Sequence, residues 1–87
     1  MEMIKIKSNT KISYLLTLGF KEERLEEIEG CIFFMFKDTE EIREQIEIFK
    51  EIVSNKEMNK IFWIDYKKYL KMNRYVRDKI REFKEVH

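Results

Sequence analysis

Proline is missing from this 87-residue chain, and glycine occurs only at positions 19 and 30. Loops must therefore be few and short, with long helices between them. A single cysteine, Cys31, excludes an internal disulfide and fits a reducing compartment. The single histidine is His87, the last residue, where fraying is the default. Nucleophilic catalysis needs a nucleophile, a base and an orienting group within reach of one another, and this chain offers no such set. One thiol and one terminal imidazole are also too few for a structural zinc site. No apolar segment approaches the roughly 20 residues of a membrane span, and the first residues lack the apolar stretch of a signal peptide. The expectation is a cytoplasmic protein that is not an enzyme, carries no cofactor and does not enter a membrane.

What is present is a core-forming sequence with a charged surface. Hydrophobic residues make up 44% and charged residues 40%, which suits a folded domain more than a disordered chain. Seven Phe, four Tyr and one Trp can fill a small core with large side chains. At this length one domain, 1–87, is expected. Met3, Ile4 and Ile6 with Lys5 between them predict a short strand near a sheet edge. Ser8 or Asn9 can cap the helix that follows, where Ile12, Leu15 and Leu16 recur at helical spacing. Gly19 then stands where a left-handed residue ends a helix, with Phe20 placed to fold back on it.

The run Cys31-Ile32-Phe33-Phe34-Met35-Phe36-Lys37, opened by Gly30 and closed by Asp38-Thr39, predicts the central strand. Before it, Arg24–Glu29 reads as a polar outer strand turning at Glu29-Gly30, the alternative being a solvated loop. Asp38 and Glu41 have capping-box spacing at the start of a second helix, whose apolar face is Ile42, Ile46, Phe49, Ile52 and Val53. Positions 55–59 are the one plausible linker, and Ile61-Phe62-Trp63-Ile64 leads into the last helix. That helix runs from Asp65 to the C-terminus with Tyr66, Tyr69, Leu70, Val76, Ile80 and Phe83 on its apolar side.

Charge is nearly balanced overall at +1 but unevenly placed. Residues 1–64 hold ten Lys/Arg against thirteen Asp/Glu, while residues 65–87 hold eight against four. One reading of the basic last helix is a solvated face with ion pairs such as Arg74–Asp78. The other is a nucleic-acid footprint in which Lys67, Lys71, Arg74, Arg77 and Arg81, together with Lys84, track phosphates while Asn73 and Tyr75 touch bases. Against the second reading, a pI of 7.8 is low for a DNA-binding domain. The five glutamates of 22–29 lack the calcium-loop pattern and read as a solvated face.

The aromatic run carries a similar choice. Phe33, Phe34 and Phe36 could stack on bases, but a small sheet must bury one face, so alternate members belong to the core. If Phe34 and Phe36 face the helices, Phe33 and Met35 face away and form a candidate protein or dimer interface. Cys31, opening an apolar strand, reads as an inert core thiol.

The segments Tyr14-Leu15-Leu16-Thr17-Leu18-Gly19-Phe20 and Ile32-Phe33-Phe34-Met35-Phe36-Lys37-Asp38, followed by the basic helix, resemble a family of small uncharacterised domains of unknown function. Such domains recur in bacterial genomes and their phages. The resemblance covers roughly residues 8 to 84 and carries no known active site. It implies a phage or prophage setting, where small accessory proteins act by binding and blocking a larger host component, a defence component being one instance. The combined expectation is an α+β fold of about three antiparallel strands packed against three helices, the C-terminal one longest. Function is expected to be non-enzymatic binding of a protein partner, with homodimerisation as one form of it. A nucleic-acid-binding module is the alternative.

Overall fold

The computed structural model describes residues 2–54 and 66–86. The linker expected at 55–59, the apolar lead-in at 61–64, Asp65 and His87 lie outside the described residues. The element order is β1 (Met3–Ile6), α1 (Asn9–Thr17), β2 (Arg24–Ile28), β3 (Cys31–Lys37), α2 (Glu40–Ser54) and α3 (Tyr66–Val86). The three strands form one antiparallel sheet in the order β1-β3-β2, with the apolar β3 in the centre and the polar β2 at an edge. The fold is α+β, with α3 the longest element.

Each boundary has a local cause. Ser8 is the N-cap of α1, its hydroxyl accepting from the Lys11 amide at 3.3 Å. The helix ends in a Schellman motif. The Phe20 amide donates to the Leu15 carbonyl and the Gly19 amide to the Leu16 carbonyl, both at 3.1 Å, with Gly19 at φ 104°. Between β2 and β3 the two turn residues, Glu29 and Gly30, have φ of 51° and 81°, as a type I′ hairpin requires. Ile28 therefore faces Cys31, and the register runs from there through Glu26↔Phe33 to Arg24↔Met35.

One expectation about capping is corrected. Thr39, not Asp38, caps α2, accepting from the Ile42 amide at 3.3 Å. Asp38 lies one residue too early for the first turn. It instead holds Arg43 through a two-pronged contact, whose second arm is 2.8 Å, and this pulls the Asp38 carboxyl below its usual range.

Residues of one sheet face and the inner stripes of all three helices build the core: Ile6, Ile12, Tyr14, Leu15, Leu16, Phe34, Phe36, Ile42, Phe49, Ile52 and Val76. Ile4, opposite Phe36, and Leu25, opposite Phe34, extend it across the sheet. Helix α1 lies between the other two helices. It meets α2 through Tyr14, which stacks at a tilt on Phe49 at 5.1 Å and donates its hydroxyl to Gln45 Oε1 at 3.2 Å. Burial raises the Tyr14 phenol above its ordinary pKa. Toward α3, α1 presents the small Ser13 and Thr17, both buried. Their hydroxyls bond back to the carbonyls of Asn9 and Ser13 at 2.7 Å, which leaves a thin surface for close helix approach.

Candidate functional site

The basic residues of α3 are positioned by what the opposite side of that helix buries. Val76 is fully buried, and Tyr69, Met72, Tyr75 and Ile80 pack beside it on the core. At about 100° per residue, Lys67 stands on the side opposite Val76. Lys71, Arg74, Arg77 and Arg81 share that side with it, within an arc of about 120°. All five are exposed. Among the described residues, Lys67, Lys71, Arg74 and Arg77 take part in no ion pair, whereas Arg81 bonds Asp78 at 2.9 Å. The pairing expected between Arg74 and Asp78 is therefore made by Arg81 instead. From Lys67 to Arg81 the stripe runs roughly 21 Å along the helix axis.

Two residues expected to reach bases do not point that way. Asn73 donates its amide to Ser13 Oγ at 3.2 Å, tying α3 to α1. Tyr75 donates its hydroxyl to Glu22 Oε2 at 2.7 Å, beneath Lys79 at 5.5 Å from its ring. Burial and the Glu22 carboxylate push the Tyr75 phenol up to about 12. The apolar stripe of α3 also differs from expectation. Tyr66 and Leu70 are 55% and 51% exposed, and their core places are taken by Met72 and Tyr75. Leu70 sits within the basic arc. Its exposure could have been read from position alone, since residue 70 lies 120° from residue 76 on a helical projection.

The outer face of the sheet carries the exposed Lys5, Arg24 and Lys37 around Phe33 and Met35. Phe34 and Phe36 are buried in the core, which removes them from base stacking. Phe33 is half-buried on the other sheet face, outside the core cluster. Met35 shares that face between Lys5 and Arg24 on the neighbouring strands, and at 6% exposed it offers little of the interface surface expected of it. Cys31 is corrected from core thiol to exposed residue, because it lies beside the hairpin turn on the outer sheet face, beyond the stretch of β3 that β1 covers.

A cleft of about 320 Å³ lies between the end of α1 and α3, lined by Leu16, Phe20, Glu22, Met72 and Tyr75 among others. Lys21 and Lys68 also line it, and Tyr75 and Glu22 satisfy each other across it. Among the described residues, no group of three or more acidic, His or Cys side chains is placed to hold a metal ion. No described helix is long and apolar enough to cross a membrane.

The family model described as Domain of unknown function (DUF5659) matches residues 1–83, and the chain belongs to that family. The resemblance to a family of uncharacterised domains holds at this level. No curated protein and no solved structure matches the chain.

Proposed function

We propose that this member of the family is a non-enzymatic binding protein whose contact surface is the outward face of α3 and whose ligand is nucleic acid. The observation that carries the reading is the group of five exposed cations on one arc, four of them free of acidic partners among the described residues. Neutralising phosphates releases counterions, so such a stripe gains affinity without a pocket and without strong net charge on the whole molecule. In this reading the protein works in the cytoplasm of a bacterium or a phage-infected cell, the setting that the family resemblance implies.

The test is fluorescence anisotropy of labelled DNA and RNA, titrated at several salt concentrations. With four to five phosphates contacted, log affinity should fall against log salt with a slope of roughly −3 to −5. Arg74→Glu with Arg77→Glu should abolish binding while the circular dichroism spectrum is retained. An unchanged affinity in that double variant would remove the reading.

A protein partner is the second reading, and Leu70 favours it. A half-exposed Leu among cations suits an acidic surface with an apolar anchor point. A second copy of the chain would bring such a surface, because Glu40, Glu44, Glu47 and Glu51 are all exposed on one narrow stripe of α2. In this reading the protein blocks a host component or pairs with itself. Leu70→Ser should then weaken the complex by about tenfold or more, with sedimentation velocity reporting self-association and co-purification reporting a foreign partner.

A further inference from the structure

The nucleic-acid reading can be taken further, to the form of the ligand. We infer that the α3 face takes duplex DNA, with the helix lying in the major groove. The inference rests on that reading and adds three observations to it.

The first is the lack of a stacking surface. Binding of single strands draws about 1–3 kcal/mol per base from exposed aromatic faces set in a charged groove. Along α3, Tyr69 packs on the core and Tyr75 is held by Glu22; on the sheet, Phe34 and Phe36 are buried, and the half-buried Phe33 lies on the face away from the helices. Tyr66 remains at the first turn of α3, already stacked on Tyr69 with ring centroids 6.4 Å apart. One engaged ring at one end does not make a platform along the stripe.

The second is how the cations spread around the helix. They do not form a single file. On a helical projection Lys71 stands on one flank of the arc, Arg77 and Arg81 on the other, and Lys67 and Arg74 between them. Two flanks of cations fit two phosphate walls, as a groove presents them, whereas one strand presents one row. Leu70, inside the arc, is of the type that contacts the thymine methyl group on the groove floor.

The third is shape. α3 is 21 residues in a single helix with its outward face uncovered by any described element. A helix with side chains is about 10–12 Å across, which the roughly 12 Å wide major groove of B-form DNA admits. Duplex RNA has a deep, narrow major groove that excludes it.

The test compares a 20-base-pair DNA duplex, its two separated strands and an RNA duplex of the same sequence by anisotropy in the same low-salt buffer. The inference expects the DNA duplex to bind at least fivefold tighter than each of the other three ligands. Lys71→Glu and Arg77→Glu, on opposite flanks, should each weaken duplex binding by fivefold or more with unchanged helical circular dichroism. A smaller margin over single strands or duplex RNA overturns the inference while leaving the nucleic-acid reading in place. So does loss of affinity from one flank only. No binding to any of the four ligands overturns both.

Discussion

At the scale of single residues, two aspartates show how position decides the role of a carboxylate. Asp38 is exposed on only 15% of its side-chain surface and is gripped by the Arg43 guanidinium, which lowers its pKa. A depressed carboxylate stabilises the fold above its unfolded pKa of about 3.9, and that contribution is lost as pH falls through the lower folded value. Asp38→Asn should therefore melt below the parent at pH 6, with the gap closing on acidification toward about pH 2. A gap that persists unchanged in acid would show that the ion pair is not its source. Asp78 stands in the basic arc, where it holds Arg81 and repels phosphates. Asp78→Asn should tighten binding to nucleic acid by about threefold to tenfold, since it removes a like charge and frees a cation. Weaker binding would mean that Asp78 itself serves as a contact. Where structure departs from sequence, single residues carry the difference. Asp38 and Thr39 are both good caps, and the start of α2 at Glu40 leaves the cap to Thr39 and Asp38 to Arg43. Cys31 and Leu70 are apolar residues at positions where the turn and the helix phase point outward.

At the scale of elements, legibility followed punctuation. β3 is legible with its observed limits because Gly30 and Asp38 frame an apolar run that no amphipathic helix would contain. The end of α1 was readable because Leu-Gly-Phe supplies each part of the Schellman motif. β2 is harder to read, being polar on an edge, and only the Glu29-Gly30 turn marks it. That turn can be tested in both directions. Gly30→Ala places a Cβ at φ 81° and should cost about 1–2 kcal/mol in urea unfolding. Glu29→Asn supplies the Asn-Gly pair preferred in this turn and should stabilise by a few tenths to 1 kcal/mol. If both variants unfold like the parent, the hairpin does not limit stability. The apolar stripe of α3 is only partly legible, because Tyr, Met and Leu spread over about 220° of the helix surface. Helical phase was settled by the small Ser13 and Thr17 of α1, which admit α3 closely enough for Asn73 to reach Ser13.

At the scale of the whole molecule, the division of charge gives the surface a direction. The outward stripe of α2 carries Glu40, Glu44, Glu47 and Glu51, and α1 stands between that helix and the cations of α3. In the nucleic-acid reading, phosphates approaching α3 would meet attraction at contact and repulsion from the acidic body farther away. Screening separates the two, because the Debye length is about 30 Å at 0.01 M salt and 8 Å at 0.15 M. At low salt the acidic stripe is within range and slows encounter; at physiological salt it is largely silent. Glu44→Gln with Glu47→Gln, both exposed and outside the contact face, should therefore raise the association rate for DNA at 0.01 M salt by about twofold to tenfold. At 0.15 M salt the variant and the parent should associate at similar rates, and the dissociation rate should differ little at either concentration. Stopped-flow anisotropy at the two salt levels separates these quantities. A rate gain equal at both salt levels would mean that α2 lies at the interface itself. The acidic stripe would then have to be counted among the contacts, and the arc on α3 would no longer account for binding alone.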